Sequence, residues 1–211
     1  PIVLFIYFIS LISMTMSGNN VMKNLNWMPH IGMNFNLYVD GLGLLFSLLI
    51  TGIGSLVVLY SIGYLSKSEQ LGNFYCYLLL FMGAMLGVVL SDNFIILYLF
   101  WELTSFSSFL LISFWREKKA SIYGAQKSLI ITVLGGLSML GGIILLSLAT
   151  DTFSIQAMIS KASDIQNSPF FILAMILFMI GAFTKSAQVP FYIWLPDAME
   201  APTPVSAYLH S

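Results

Sequence analysis

GLGLLFSLLITGIGSLVVLYSIGYLS, residues 41–66, carries no charged side chain, and its reading decides the fold. The hydrocarbon core of a bilayer is about 30 Å thick and takes about 20 apolar residues of helix. The run exceeds that length and is apolar all round, as a helix facing lipid or buried in a bundle must be. It has none of the alternation of an outer-membrane barrel strand.

Working outward, the windows 1–22, 70–91, 128–150 and 165–184 are also free of charge, and 93–115 would join them but for Glu102. The sequence therefore predicts an all-α integral membrane protein, a polytopic transmembrane helix bundle. Six spans are expected, at about 1–16, 43–65, 74–91, 94–115, 124–148 and 169–188, with a seventh starting near 203. Pro190 follows Lys185 closely and would remove a helical hydrogen bond, so at least one proline-broken helix is expected. The chain begins at Pro1 and stops just after a new apolar segment has started, which suggests the N-terminal region of a longer polypeptide and a partial domain. No basic segment with a small-residue cleavage site precedes the first apolar stretch, so no cleavable signal peptide is expected.

Composition excludes several function classes. Of 211 residues, 58% are hydrophobic and 8% charged, with a mean hydropathy of +0.91, against about a quarter charged in soluble domains. The net charge of −1 and the lack of a basic run argue against nucleic acid. The lone Cys76 says nothing of redox compartment. There is no Cys-x-x-Cys, no histidine pair at metal spacing, no phosphate-cradling glycine loop, and only His30 and His210 as imidazoles. No cofactor or metal and no redox or hydrolytic chemistry is expected; movement of charge through a helical bundle remains.

The densest positive cluster, Arg116, Lys118 and Lys119, is expected on the cytoplasmic side. Alternation of the spans then puts Lys67 on that side and Lys23 and Lys161 outside.

The charges inside the spans carry the functional reading. An ionisable residue at the centre of a membrane helix costs about 2.5–3.5 kcal/mol on insertion scales and usually marks an ion or proton pathway. Glu102 stands 13 residues before the end of its span, about 20 Å along the helix and so near mid-membrane. It is either a group that gains and loses protons or a structural carboxylate paired with a neighbouring helix. Lys185 ends a long charge-free run beside the expected helix break, where transporters build sites at membrane depth; the alternative is a lysine snorkelling to the interface. Lys127, about four residues into its expected span, admits snorkelling and function equally. Thr203 and Pro204 can start a helix, which places His210 about two turns inside it. Imidazole suits proton hand-over near neutral pH, and a hydrogen-bonded packing residue is the alternative. Asp197 and Glu200 read as capping and solvated carboxylates before that helix, and Asp40 reads the same way at the mouth of its span.

FWELTSFSSFLLISFW (100–115), AQKSLIIT (125–132), GAFTKSAQVPFYIWLPDAMEAPTPVSAYLHS (181–211) and LYVDGLGLLFSLLITGIGSLVVLYS (37–61) resemble a known family. It is the proton-conducting antiporter module shared by Mrp-type multisubunit sodium/proton antiporters and the large membrane subunits of respiratory complex I. The resemblance runs from about residue 40 to the end, and the wording from Pro190 onward, with YSIGYL at 60–65, is most similar to the Mrp A-subunit branch. It implies that Glu102 and Lys185 form the pair essential for proton translocation. It implies that Lys127 matches the lysine of the A-x-K motif, and that His210 continues the relay. Complex I relatives often carry an arginine shortly after that lysine, whereas Val133 follows Thr132 here.

The expected function is thus a proton-translocating, non-enzymatic subunit of a multisubunit sodium/proton antiporter. Its partners would be other subunits, protons, sodium and the lipid bilayer, without nucleic acid, in a bacterial cell membrane crossed many times. The alternative is a proton-pumping membrane subunit of an NADH:quinone oxidoreductase.

Overall fold

The computed structural model describes residues 1–28, 33–66 and 69–210. Helix α1 (Ile2–Met16) is followed by an antiparallel hairpin of β1 (Val21–Met28) and β2 (Met33–Val39), in which Val21 pairs with Val39 and Lys23 with Leu37. Then come α2 (Gly41–Tyr64), α3 (Leu71–Leu90), α4 (Phe94–Ile112) and α5 (Lys119–Thr150). These four, of 24, 20, 19 and 32 residues, are long and apolar enough to cross a membrane. Short α6 (Ile155–Ser160) and α7 (Ala162–Asn167) lead to α8 (Phe171–Lys185), a 3₁₀ turn at Phe191–Trp194, α9 (Leu195–Ala198) and α10 (Thr203–His210). Helices α1 and α8 have 15 residues each, about 22 Å of rise, less than the roughly 30 Å of a bilayer core.

The hairpin, the start of α2, the α3–α4 turn and α6 lie together at one end of the bundle. Asp92 joins them: its N–H donates to Asn36 O at 2.9 Å, and its carboxylate accepts from Ser154 Oγ at 2.8 Å and from the Gln156 N–H at 3.0 Å. The other end carries the α2–α3 and α4–α5 connections, tied where Trp115 Nε1 donates to Glu69 Oε1 at 2.9 Å. Helix starts follow local chemistry: Asp40 Oδ1 caps α2 through the Gly43 N–H, and Asn93 Oδ1 caps α4 through Ile95 and Ile96. Within the helices Thr51, Ser55 and Ser61 donate to carbonyls one turn back, which satisfies their hydroxyls without water.

The main core joins Phe74, Leu78, Leu111, Ile112, Trp194, Val205 and Tyr208. Outward positions such as Leu56, Ile62, Leu148 and Ile172 are apolar and exposed, as a lipid-facing surface requires. Helices α5 and α8 pack through small residues. A Cβ on Gly142 would meet Ala174 O at 2.7 Å, one on Gly181 would meet Met139 Cβ at 2.5 Å, and Ser138 Oγ donates to Leu177 O at 3.2 Å.

The expected proline-broken helix is not what the structure shows. Helix α8 stops at Lys185, and Pro190 stands between helices rather than inside one. The stop is a Schellman cap: the Gln188 N–H donates to Phe183 O at 2.9 Å and the Ala187 N–H to Thr184 O at 3.3 Å, with Ala187 left-handed at φ 52°. The hairpin, α6 and α7 are additions that the apolar windows do not reveal.

Candidate functional site

Glu102 lies in the middle of α4, eight residues after Phe94 and ten before Ile112. Its Oε1 is buried without a hydrogen-bond partner, and the same holds for the neighbouring Trp101 Nε1. A Cβ on Gly136 would fall on that carboxylate oxygen, so the acid rests against the bare backbone of α5. An unsatisfied buried carboxylate oxygen costs free energy, and persists where the surrounding packing fixes it.

Lys185 reaches the same region from the capped end of α8. Its Nζ donates to Ser105 Oγ at 2.7 Å and stands 5.7 Å from the centroid of the Trp101 ring. Ser105 is three residues beyond Glu102, one turn along the same face of α4. Glu102 and Lys185 thus approach the same stretch of α4 without forming an ion pair among the described residues. The position of α8 is set by α5, because a Cβ on Gly135 would meet the Thr184 side chain at 2.5 Å. It is also set by Trp194, whose Nε1 donates to Thr184 O at 3.0 Å.

Beside the lysine is a cavity of about 340 Å³ between α2, α3, α4, α5 and α10. Lys185, Thr104, Ser108, Ser128, Thr132 and Tyr208 give it its polar wall. Tyr208 ties α10 to α2 by donating to Ile50 O at 2.9 Å.

Lys127 is elsewhere, toward the Arg116 end of α5. Its Nζ is 2.6 Å from Asp197 Oδ2, the one ion pair among the described residues, with the two side chains 27% and 36% exposed. A Cβ on Gly124 would collide with the Asp197 carbonyl, so the missing side chain lets α9 lie on α5 and set Asp197 over Lys127 one turn on. His210 closes α10, and its side chain lies outside the described residues, as do His30 and Lys67. The structure thus brings Glu102 and Lys185 together and holds Lys127 in a separate pair. Sequence reading missed Ser105 and the partnership of Asp197 with Lys127, since residues 80 and 70 apart in the chain gave no local signal.

A family model described as NADH:quinone oxidoreductase/Mrp antiporter, transmembrane, matches residues 91–211, more than half of the chain. The chain belongs to that family. A second model, NADH-ubiquinone oxidoreductase (complex I) chain 5 N-terminus, matches residues 27–75 of this antiporter-family chain. It is 86% identical over all 211 residues to the Na(+)/H(+) antiporter subunit A1 of Staphylococcus aureus strains JH9 and Newman, and covers 26% of their length. The chain thus spans about a quarter of these relatives. Among solved structures, the Mrp complex from Dietzia sp. DQ12-45-1b superposes with a TM-score of 0.85 at 38% identity, over 90% of this chain and 21% of that one. An archaeal membrane-bound sulfane sulfur reductase shares the fold, with a TM-score of 0.87 at 22% identity over 100% of this chain and 44% of that one.

Proposed function

We propose that this antiporter-family chain is the proton-handling part of a subunit of a multisubunit sodium/proton antiporter in a bacterial cell membrane. It acts as a secondary transporter component rather than as an enzyme, beside further subunits of the complex. In this reading residues 1–211 form a partial transmembrane antiporter-like domain, with the Arg116 end toward the cytoplasm. The observation that carries it is the pairing of a mid-helix acid on α4 with a lysine at the capped end of α8, at the wall of a cavity.

The mechanism is electrostatic. Glu102 and Ser105 stand one turn apart on α4, a spacing of about 5–6 Å between Cβ atoms. Two opposite unit charges about 6 Å apart at an effective dielectric of about 20 attract by about 3 kcal/mol, which sets the scale for the acid and the ammonium held by Ser105. A proton arriving on Glu102 removes that attraction and releases the hold on the Lys185 proton, which passes into the cavity toward α10 and His210. Thr104, Ser108, Ser128 and Thr132 offer hydroxyl oxygens along that wall. Lys127 on α5, paired with Asp197, takes part in the relay by exchanging its carboxylate partner.

The test is sodium-driven proton movement in inverted vesicles from an antiporter-deficient strain carrying the full operon. Glu102→Gln and Lys185→Ala are expected to assemble and lose exchange. Exchange surviving in both would make these charges structural. NADH-dependent pumping without exchange in the wild type would move the chain to the respiratory branch of its family.

A further inference from the structure

The hairpin end of the bundle holds a second cavity, of about 240 Å³, that the proton relay does not use. Its wall takes in Asp40 at the start of α2, Val88 and Val89 in the last turn of α3, and Ser91 and Asp92 in the connection to α4. Each of these brings oxygen. Asp40 caps α2 through Oδ1 alone, accepting the Gly43 N–H at 2.7 Å, and a carboxylate has about four acceptor positions. Asp92, 2% exposed, holds Ser154 Oγ and the Gln156 N–H and keeps further lone pairs. Neither carboxylate has an ion-pair partner among the described residues. The α3 C-terminus adds the carbonyl end of its dipole, about half a negative charge.

An independent observation marks the site as unfinished. Ser91, 7% exposed, lines this cavity with a buried Oγ that has no hydrogen-bond partner. A set of carboxylate, carbonyl and hydroxyl oxygens suits a hard cation. Helix C-terminal ends with carbonyl oxygens are how transporters hold sodium at membrane depth. No group of three or more His, Cys, Asp or Glu side chains gathers among the described residues, as a tight divalent site would want. Both carboxylates also share their charge with backbone N–H groups, which fits a single positive charge.

We propose that this cavity is a monovalent-cation site, for sodium or lithium, at the hairpin-side mouth of the bundle. It rests on the antiporter reading and gives the driving ion a place in this chain. The site neighbours the relay cavity, because Phe46 and Val88 line both. A cation seated there is separated from the cavity of Lys185 by the shared side chains Phe46 and Val88.

The experiment is equilibrium binding of radioactive sodium to the purified whole complex by scintillation proximity, competed with lithium or choline. Ser91→Ala and Asp40→Asn, the latter keeping an oxygen to cap α2, are expected to weaken binding about ten-fold. Ser160→Ala on the exposed face of α6, outside the cavity, is the control and leaves it unchanged. Lithium displaces sodium and choline does not. Wild-type affinity in both cavity variants, or no saturable binding in the wild-type complex, overturns the proposal; if Ser91→Ala fails to assemble, Asp40→Asn decides alone. Because the readout is binding, the two readings fail separately. Normal exchange in Glu102→Gln with sodium binding lost in Ser91→Ala would sink the relay and leave the site standing.

Discussion

Replacing Gly136 by alanine is expected to separate the placement of Glu102 from the stability of the bundle. The added methyl would occupy the position of Glu102 Oε1, with the carboxyl carbon 3.0 Å away. An unstrained contact needs about 3.5 Å, so the carboxyl group must swing aside by roughly 1 Å or more. The obstacle is the distal end of a flexible side chain rather than backbone, and a torsion pushed off its rotamer costs about 0.5–1.5 kcal/mol. Alanine in place of a mid-helix glycine returns about 0.5–1 kcal/mol. The two nearly cancel, so the variant is expected to assemble at wild-type yield with an unchanged melting temperature. Transport responds differently, because a misplacement of about 1 Å near the reacting groups can cost about a hundred-fold. Sodium-driven proton movement in inverted vesicles is therefore expected to fall about ten- to a hundred-fold while the complex remains intact on size exclusion. Wild-type exchange by an assembled Gly136→Ala complex would refute the idea that the acid must rest against α5. Loss of assembly would refute the energetic estimate instead.

Other perturbations sort the remaining contacts. Ser105→Ala removes the acceptor that holds the Lys185 ammonium at 2.7 Å; a hydrogen bond to a charged group is worth about 1.5–3 kcal/mol, so exchange should slow at least about ten-fold, with Ser105→Thr restoring most of it. A double-mutant cycle of Lys127→Ala and Asp197→Ala, scored on exchange rate, should give a double variant that loses less than the two single losses combined, and additive losses would show that the pair does not act as a unit. Ala187 already sits in the left-handed region at φ 52°, so Ala187→Gly should relieve about 1–2 kcal/mol, whereas Ala187→Val adds a β-branched side chain to that strain and should lower the yield of assembled complex. Asp92→Ala removes the acceptor for two donors and leaves a gap in a residue 2% exposed; a loss of about 2–3 kcal/mol should appear as a lower melting temperature, with Asp92→Asn milder.

The helical bundle was legible because a lipid solvent writes itself into composition: residues 41–66 admit no other compact structure. Glu102 was legible for the same reason, since one carboxylate interrupts an otherwise uncharged window. Lys185 was found as well, but for a reason the structure revises. The helix ends there through hydrogen bonds from Ala187 and Gln188, a cap made with alanine where the usual signal is glycine, so Pro190 looked like the cause. The hairpin was missed although β2 alternates, with Met33, Phe35, Leu37 and Val39 on one face and Asn34, Asn36 and Tyr38 on the other, because runs of seven or eight residues do not register in a search for charge-free windows of about 20. Contacts that close over long stretches of chain, Lys127 with Asp197 and Lys185 with Ser105, leave no periodic trace. They depend on glycines whose missing side chains matter only once a partner helix is in place, as Gly124 does beneath Asp197.

Gly135 and Gly136 are consecutive on α5, yet they face different helices: one receives Thr184, next to Lys185, and the other receives the carboxyl group of Glu102. A single two-residue step of backbone is thus the common datum from which the depth of both charges is measured. Because both contacts are made to α5, a shift of that helix would displace acid and base in the same sense, unlike a pair mounted on independent supports. In the proposed relay, such a mounting would leave the movement to protons and side-chain ends.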